Sequence, residues 1–454
     1  MGVSSSIDRV STDDLMSLAT EHGASPLQVG AVLMIDTVDV LGSGTGLDVE
    51  RAVDLLAQRL PGVPRLRKRL VPAPFGCGRP IWVDDADFDV TEHVSVIPCP
   101  SPRDEQAVLD LAAVLLVTPL PRTRALWAAT LVTGVARDQA ALIVVFHHVL
   151  ADGVAGLAVL GGLVDQSEAT GKPRAVGPKT RESDFPRRQA SIRQLAIDAW
   201  TRRLGSLRGL PVLLRRLQDA ARELRSVRWT RLRPTSLNRP TGPRRSLVTV
   251  TVALVGIRNA GHAQKATVND VVLTAIGGAL HRLLALRGEA VDRFIVSVPF
   301  SERRAATHGD LGNRSGVIPI RVPGVGAAVS RLRFVAEGTR KAKRSSPGAT
   351  TALLGPFFRI LAQLGLFQWF VDRQRLIHTF VSSLRGPEQR LSIFGCPVTA
   401  IVPLSASTGN VTVSFTVLSY AGDLTITLIA DPDACPDLAT LQDLLAEELA
   451  ELAR

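Results

Sequence analysis

The stretch Ala140-Ala141-Leu142-Ile143-Val144-Val145-Phe146-His147-His148-Val149-Leu150-Ala151-Asp152-Gly153 passes from seven apolar residues to two histidines and then to an Asp-Gly pair. Seven apolar residues have the length of a buried strand, and a helical pattern follows through Leu163. The local layout is strand, short turn, helix. A histidine that ends a buried strand is held by backbone on one side and faces a cleft on the other. Near pH 7 a neutral imidazole accepts a proton from an alcohol or thiol and later returns it. Asp152 suits the cap of the following helix, and Gly153 permits a tight turn. A packed core residue is the plain alternative for a lone histidine there. The complete H-H-x-x-x-D-G spacing points instead to chemistry centred on His148.

Working outward, residues 29–35 and 126–132 predict strands, and 48–59 and 105–116 predict helices. From 172 to 245 the ends are rich in Pro, Gly, Arg and Ser, with helical patterns at 191–203 and 212–228. Beyond it, 246–252, 294–298, 398–402, 411–418 and 424–429 read as strands. Helices are expected over 270–286 and 436–452, the last with Pro436 in its first turn. At 454 residues the chain is too long for one ordinary core. The expected fold is α/β: an N-terminal domain (1–171), a basic helical linker (172–245) and a C-terminal domain (246–454).

Apolar residues make up 46% and charged residues 21%, as in soluble globular proteins. Aromatics are 4%, so the core is aliphatic. Cys77, Cys99, Cys396 and Cys435 are scattered, with no C-x-x-C pair and no His at ligand spacing. No metal site or disulfide framework is expected, and a reducing cytoplasm fits. Residues 1–14 lack the apolar core of a signal peptide. No apolar run reaches the roughly 18 residues of a spanning helix. The nearest, 351–371, is interrupted by Arg359, Gln363 and Gln368 and reads as an amphipathic helix of the core, or one in contact with lipid or an acyl chain.

Charge is concentrated. Residues 172–245 hold 20 Lys and Arg against five acids, whereas the whole chain carries +11, leaving the remainder net negative. The partner of that region is an anionic surface or ligand. Its aromatics, Phe185, Trp200 and Trp229, are too few for a nucleic-acid stacking platform. Anionic lipid headgroups or the phosphates of a nucleotide-bearing ligand fit better, with a merely solvated linker as the plain alternative.

Two other motifs dissolve on counting. Gly42-Ser43-Gly44-Thr45-Gly46 suggests a nucleotide loop, but the third glycine position of G-x-G-x-x-G is Leu47. Asp84-Asp85-Ala86-Asp87-Phe88-Asp89 suggests calcium, but counting from Asp85 puts Val90 at the sixth position and Val96 at the twelfth. They read as a flexible loop and a solvated strand end.

The chain resembles the bacterial wax ester synthase/diacylglycerol acyltransferases. The likeness runs through His147 to Gly153, Ser25-Pro26-Leu27-Gln28-Val29-Gly30, Pro64-Arg65-Leu66-Arg67 and Ala125-Leu126-Trp127. It continues in Asn269-Asp270-Val271-Val272-Leu273, Val298-Pro299-Phe300-Ser301, Leu311-Gly312-Asn313, Leu418-Ser419-Tyr420-Ala421-Gly422 and Ala430-Asp431-Pro432-Asp433. The resemblance implies two chloramphenicol-acetyltransferase-like domains with the active-site channel at their interface. It implies that His148 is the general base and moves an acyl group from acyl-CoA to the hydroxyl of diacylglycerol or a long-chain alcohol. His147 then supports it, Asp152 orients the loop, and Gly153 sets the loop geometry. Neither metal nor cofactor is implied beyond acyl-CoA as co-substrate.

Asn269 and Asp270 open the long second-half helix, either as its cap or, for Asn269, facing the channel to steady the substrate or the oxyanion. The expected setting is cytoplasmic, docked on a membrane or lipid-droplet surface, with no nucleic-acid partner. Two departures stand out. Ala125 replaces a family proline, and Ser382-Ser383-Leu384-Arg385-Gly386-Pro387 stands where relatives carry Ser-Asn-Val-Pro-Gly-Pro. They keep open a lipid-surface binding protein with weak or lost turnover. A condensation-type enzyme fed by a carrier protein shares the histidine loop and is a second alternative.

Overall fold

The computed structural model of the chain describes residues 7–11, 14–15, 18, 21, 26–37, 49–136, 138–151, 153–165, 185–208, 235–301, 315–344, 361, 364–405 and 409–454. Among them the first-half strands are β1 (Gln28–Asp36), β2 (Lys68–Val71), β3 (Ile81–Asp84), β4 (Val94–Pro98), β5 (Trp127–Val135) and β6 (Gln139–His147). The second half supplies β7 (Ser246–Ala253), β8 (Arg293–Ser301), β9 (Ser315–Pro323), β10 (Thr379–Arg385), β11 (Ser392–Ile393), β12 (Cys396–Ser405), β13 (Val413–Tyr420) and β14 (Asp423–Ala430). The helices are α1 (Val49–Arg59), α2 (Glu105–Val117), α3 (Gly153–Leu163), α4 (Ile192–Arg208), α5 (Leu254–Ala263), α6 (Val268–Leu286), α7 (Ala328–Arg344), α8 (Phe367–Val371) and α9 (Leu438–Leu452).

Two six-stranded sheets carry the fold, ordered β11-β12-β1-β6-β5-β4 and β7-β14-β13-β10-β8-β9, with β2 and β3 paired apart. β1 and β6 are central in the first, and the alternation of a strand sorts their side chains between two cores. Leu33 and Ile35, with Leu142, Val144 and Phe146, meet α1 and α3 on one face. Val32 and Met34, with Ile143 and Val145, meet α2 on the other. Burial on both faces explains why 140–146 is apolar at every position. Each large side chain gains about 1.5–3 kcal/mol from that burial. The end of β6 is therefore firmly placed.

The sheets share material. Leu247 of β7 and Ile429 of β14 belong to the core beneath α2, and Gln106 donates to the Leu247 carbonyl at 3.0 Å. β12 also crosses over, pairing antiparallel with β1 and carrying β11 with it. The division at residue 246 therefore does not coincide with the sheets, because 392–405 completes the N-terminal one. An apolar run such as 398–402 declares a strand but not its partner.

In the second half, α6, α7 and α9 cover a sheet face carrying Phe294, Val381, Phe415 and Leu428. Sequence pattern passes over β2, β4, β9, β10 and β11, which are short or partly exposed, and over α5 and the amphipathic α7. The last helix starts at Leu438, just beyond Pro436. Of the basic linker, 185–208 and 235–245 are described. There α4 sets Leu195 against Cys77, Ile81 and Val83, and Arg9 binds Asp198 at 2.6 Å and the Leu195 carbonyl at 2.9 Å. The expected helix at 212–228, the Gly42–Gly46 loop and most of 351–371 lie outside the described residues. No helix among the described residues is long and apolar enough to cross a membrane.

Candidate active site

β6 delivers the histidine pair between two neighbours. The His147 N–H donates to the Leu126 carbonyl at 3.0 Å, and the His148 N–H donates to the Leu27 carbonyl at 2.9 Å. Leu126 precedes β5 and Leu27 precedes β1, so both flanking strands hold the turn. Successive side chains leave a strand on opposite sides. The His147 ring turns into the protein, where it is buried, and the His148 ring lines a cavity.

His147 has a defined role in the turn. Its Nδ1 accepts the Val149 N–H at 2.9 Å, so the ring proton sits on Nε2. That nitrogen lies 2.6 Å from Glu21 Oε1. The same carboxylate accepts the Leu27 N–H at 3.1 Å and pairs with Arg122. Burial works against the Glu21 charge, but His147, Arg122 and the Leu27 N–H outweigh it and hold this carboxyl below its ordinary range. Glu21 was not legible as a site residue, since nothing in its surroundings in sequence marks it.

The cavity lies between the two halves and spans about 520 Å³, counting the part that opens to solvent. The first half contributes His148, Gly30 of β1, Phe146 of β6, and Gly153, Gly156 and Leu160 of α3. The second contributes Ser382 and Leu384 of β10, Ser405 of β12, and Thr416 and Leu418 of β13. Among these lining residues His148 is the only titratable one. β10 and β13 run parallel, with Ser382 opposite Thr416 and Leu384 opposite Leu418. One rung thus presents two hydroxyls to the cavity and the next presents two leucines. An apolar chamber with one imidazole and a few hydroxyls suits a greasy substrate with one reactive oxygen.

The first-half motif blocks meet around this turn. Leu27 and Leu126 hold the histidines, and the Trp127 indole donates to the Leu66 carbonyl at 2.8 Å. The altered stretch at 382–387 divides by strand alternation. Ser382 and Leu384 face the cavity, whereas Ser383 and Arg385 are exposed, and Arg385 binds Glu388 at 2.6 Å. The two lost family residues thus lie off the chamber wall.

Other expected site residues are placed as follows. Gly153 starts α3 and lines the cavity, and Asp152 is outside the described residues. The cap of α6 is Thr267, with Asp270 as its reciprocal partner. The Asp270 carboxylate accepts from the Thr267 N–H and hydroxyl at 2.8 Å and from the Thr339 hydroxyl at 2.7 Å. It holds a helix start and does not line this chamber; three donors already engage it. Asn269 does not line it either, and its Oδ1 is buried with no hydrogen-bond partner. Leu311-Gly312-Asn313 is outside the described residues. The four cysteines are buried.

Residues 10–272 match the wax ester synthase/diacylglycerol acyltransferase catalytic domain, and 311–453 match the C-terminal domain of the same proteins. A Mycobacterium tuberculosis protein named "probable diacylglycerol O-acyltransferase" is 28% identical over 435 residues, covering 94% of this chain and 91% of its own. The solved wax ester synthase/diacylglycerol acyltransferase of Marinobacter aquaeolei superposes with a TM-score of 0.70 at 22% identity, over 98% of both chains. The first condensation domain of the calcium-dependent antibiotic synthetase shares the fold at a TM-score of 0.64 and 20% identity, over 100% of this chain and 97% of that one.

Proposed function

We infer the reaction from what this chain is: it belongs to the wax ester synthase/diacylglycerol acyltransferase family. It is an acyl-CoA-dependent O-acyltransferase that esterifies diacylglycerol to triacylglycerol. Fatty alcohols giving wax esters are a second class of acceptor. The observation that carries the proposed mechanism is His148, the one titratable side chain among the described residues that line an apolar chamber between the halves.

In the proposed step His148 takes the proton of the acceptor hydroxyl as its oxygen attacks the thioester carbonyl carbon. The carbonyl electron pair moves onto oxygen and returns as the C–S bond breaks. The departing CoA sulfur takes the proton back from the imidazolium. Because a thioester is already activated, the step uses no cofactor and no covalent enzyme intermediate. The hydroxyls of Ser382 and Thr416 are proposed as donors to the oxyanion. Glu21 and His147 position the turn, as does Asp152 in this proposal, and Gly153 leaves room beside Leu384. The acceptor is lipid, which supports work at a membrane or lipid-droplet surface.

Labelled long-chain acyl-CoA offered with diacylglycerol or hexadecanol tests the assignment. Labelled triacylglycerol is the expected product. No ester with either acceptor, together with transfer from an acylated carrier protein, would move the chain to the condensation-type reading.

A further inference from the structure

We propose that the outward face of α4 docks the protein on an anionic phospholipid bilayer. Leu195 and Ala199 of α4 are buried, Leu195 against the β2–β3 pair. At about 100° per residue, Ile197, Trp200 and Leu204 fall on one strip roughly opposite them. These three side chains are 55%, 59% and 58% exposed. A helix apolar on two sides is normally covered on both. Here the described residues cover one.

The flanking charge identifies the cover. Arg193 and Arg203 are exposed on and beside the strip, and Arg187 and Arg188 are exposed just before the helix. The single acid among residues 185–205, Asp198, is taken up by Arg9 at 2.6 Å and Arg202 at 3.0 Å. The Arg203 guanidinium sits 5.5 Å from the Trp200 ring centroid. Such a side chain lays its stem and an aromatic ring on apolar material while its charge meets phosphate. Aliphatic residues that enter the acyl boundary, ringed by cations that meet headgroups, describe a helix lying in a bilayer interface. Nucleic acid would satisfy the arginines but leave Ile197 and Leu204 in water. The inference rests on the lipid-acceptor reading above, since enzyme and acceptor would then share one surface.

Flotation of the full chain with phosphatidylglycerol and with phosphatidylcholine vesicles tests it, wild type against the I197S/W200S/L204S variant. Wild type is expected to float with phosphatidylglycerol about tenfold better than with phosphatidylcholine, and the variant to lose about tenfold or more of that binding. An unchanged thermal midpoint would show that the exposed substitutions leave the fold intact. Equal flotation of variant and wild type would overturn the proposal. So would capture by duplex DNA or RNA in place of vesicles. Transfer to detergent-dispersed diacylglycerol, measured on the same preparations, keeps the two claims apart. Equal transfer by both proteins is expected, whereas transfer by neither would sink the reaction and leave the flotation result standing.

Discussion

Glu21 Oε1 lies 2.6 Å from His147 Nε2 and 3.1 Å from the Leu27 nitrogen, while the Leu27 carbonyl holds the His148 N–H. One carboxylate thus braces the buried histidine directly and the cavity-facing one through a single peptide. Glu21→Ala is expected to lower kcat about tenfold while KM for acyl-CoA stays within about twofold, because it loosens the turn without touching substrate. Steady-state kinetics at saturating acceptor check this.

The depressed Glu21 carboxyl also sets a pH dependence. A carboxyl held below its ordinary value contributes stability that is present above about pH 4.5 and is lost as pH falls through the folded value. Urea midpoints of wild type and Glu21→Gln are expected to differ at pH 7 and to begin converging only as the pH falls below about 4.5.

Gly153 and Gly156 are spaces as much as residues. A Cβ at 156 would stand 2.6 Å from Phe146 Cζ, and one at 153 would stand 2.9 Å from Leu384 Cδ2. Gly153→Ala is expected to cost about 1–3 kcal/mol through overpacking, and Leu384→Ala in the same chain should recover part of it. A double-mutant cycle measures that coupling, and additive effects would separate the two residues.

The hydroxyl rung has its own test. Thr416→Val keeps the shape of the wall and removes a donor. It is expected to lower kcat about 10- to 100-fold with little change in stability. Ser382→Ala should act in the same direction, and single-turnover kinetics place the loss in the chemical step.

His378 contributes a separate acid sensitivity. Burial pushes its imidazole down to about 4 from an ordinary 6.5. Between those values the unfolded chain takes a proton that the folded one refuses, so stability falls as pH drops through the window, by up to about 3 kcal/mol. Chemical denaturation from pH 7 to pH 4 should show this slope, and His378→Gln should flatten it.

Much of the site was legible because strand physics writes itself into consecutive residues. A strand buried on both faces must be apolar throughout, so 140–146 announced itself and fixed the histidine pair at its end. The crossover of β12 was not legible, since pairing depends on a strand distant in sequence. Asp270 shows the opposite limit: Asn269-Asp270 invited a functional reading, yet Thr267 caps α6 and Asp270 answers it. Glu21, Ser382 and Thr416 escaped as site residues because each gains its meaning only from what folding brings beside it. Even the altered 382–387 stretch needed the register of β10 to show that Ser383 and Arg385 leave the chamber wall intact.

The most direct measurement is kcat/KM for acyl transfer from acyl-CoA to diacylglycerol in His148→Ala, beside wild type and with the fold checked by circular dichroism. A fall of about 10²- to 10⁴-fold is expected for loss of a general base. Turnover by the folded variant at the wild-type rate would contradict the role given to that imidazole.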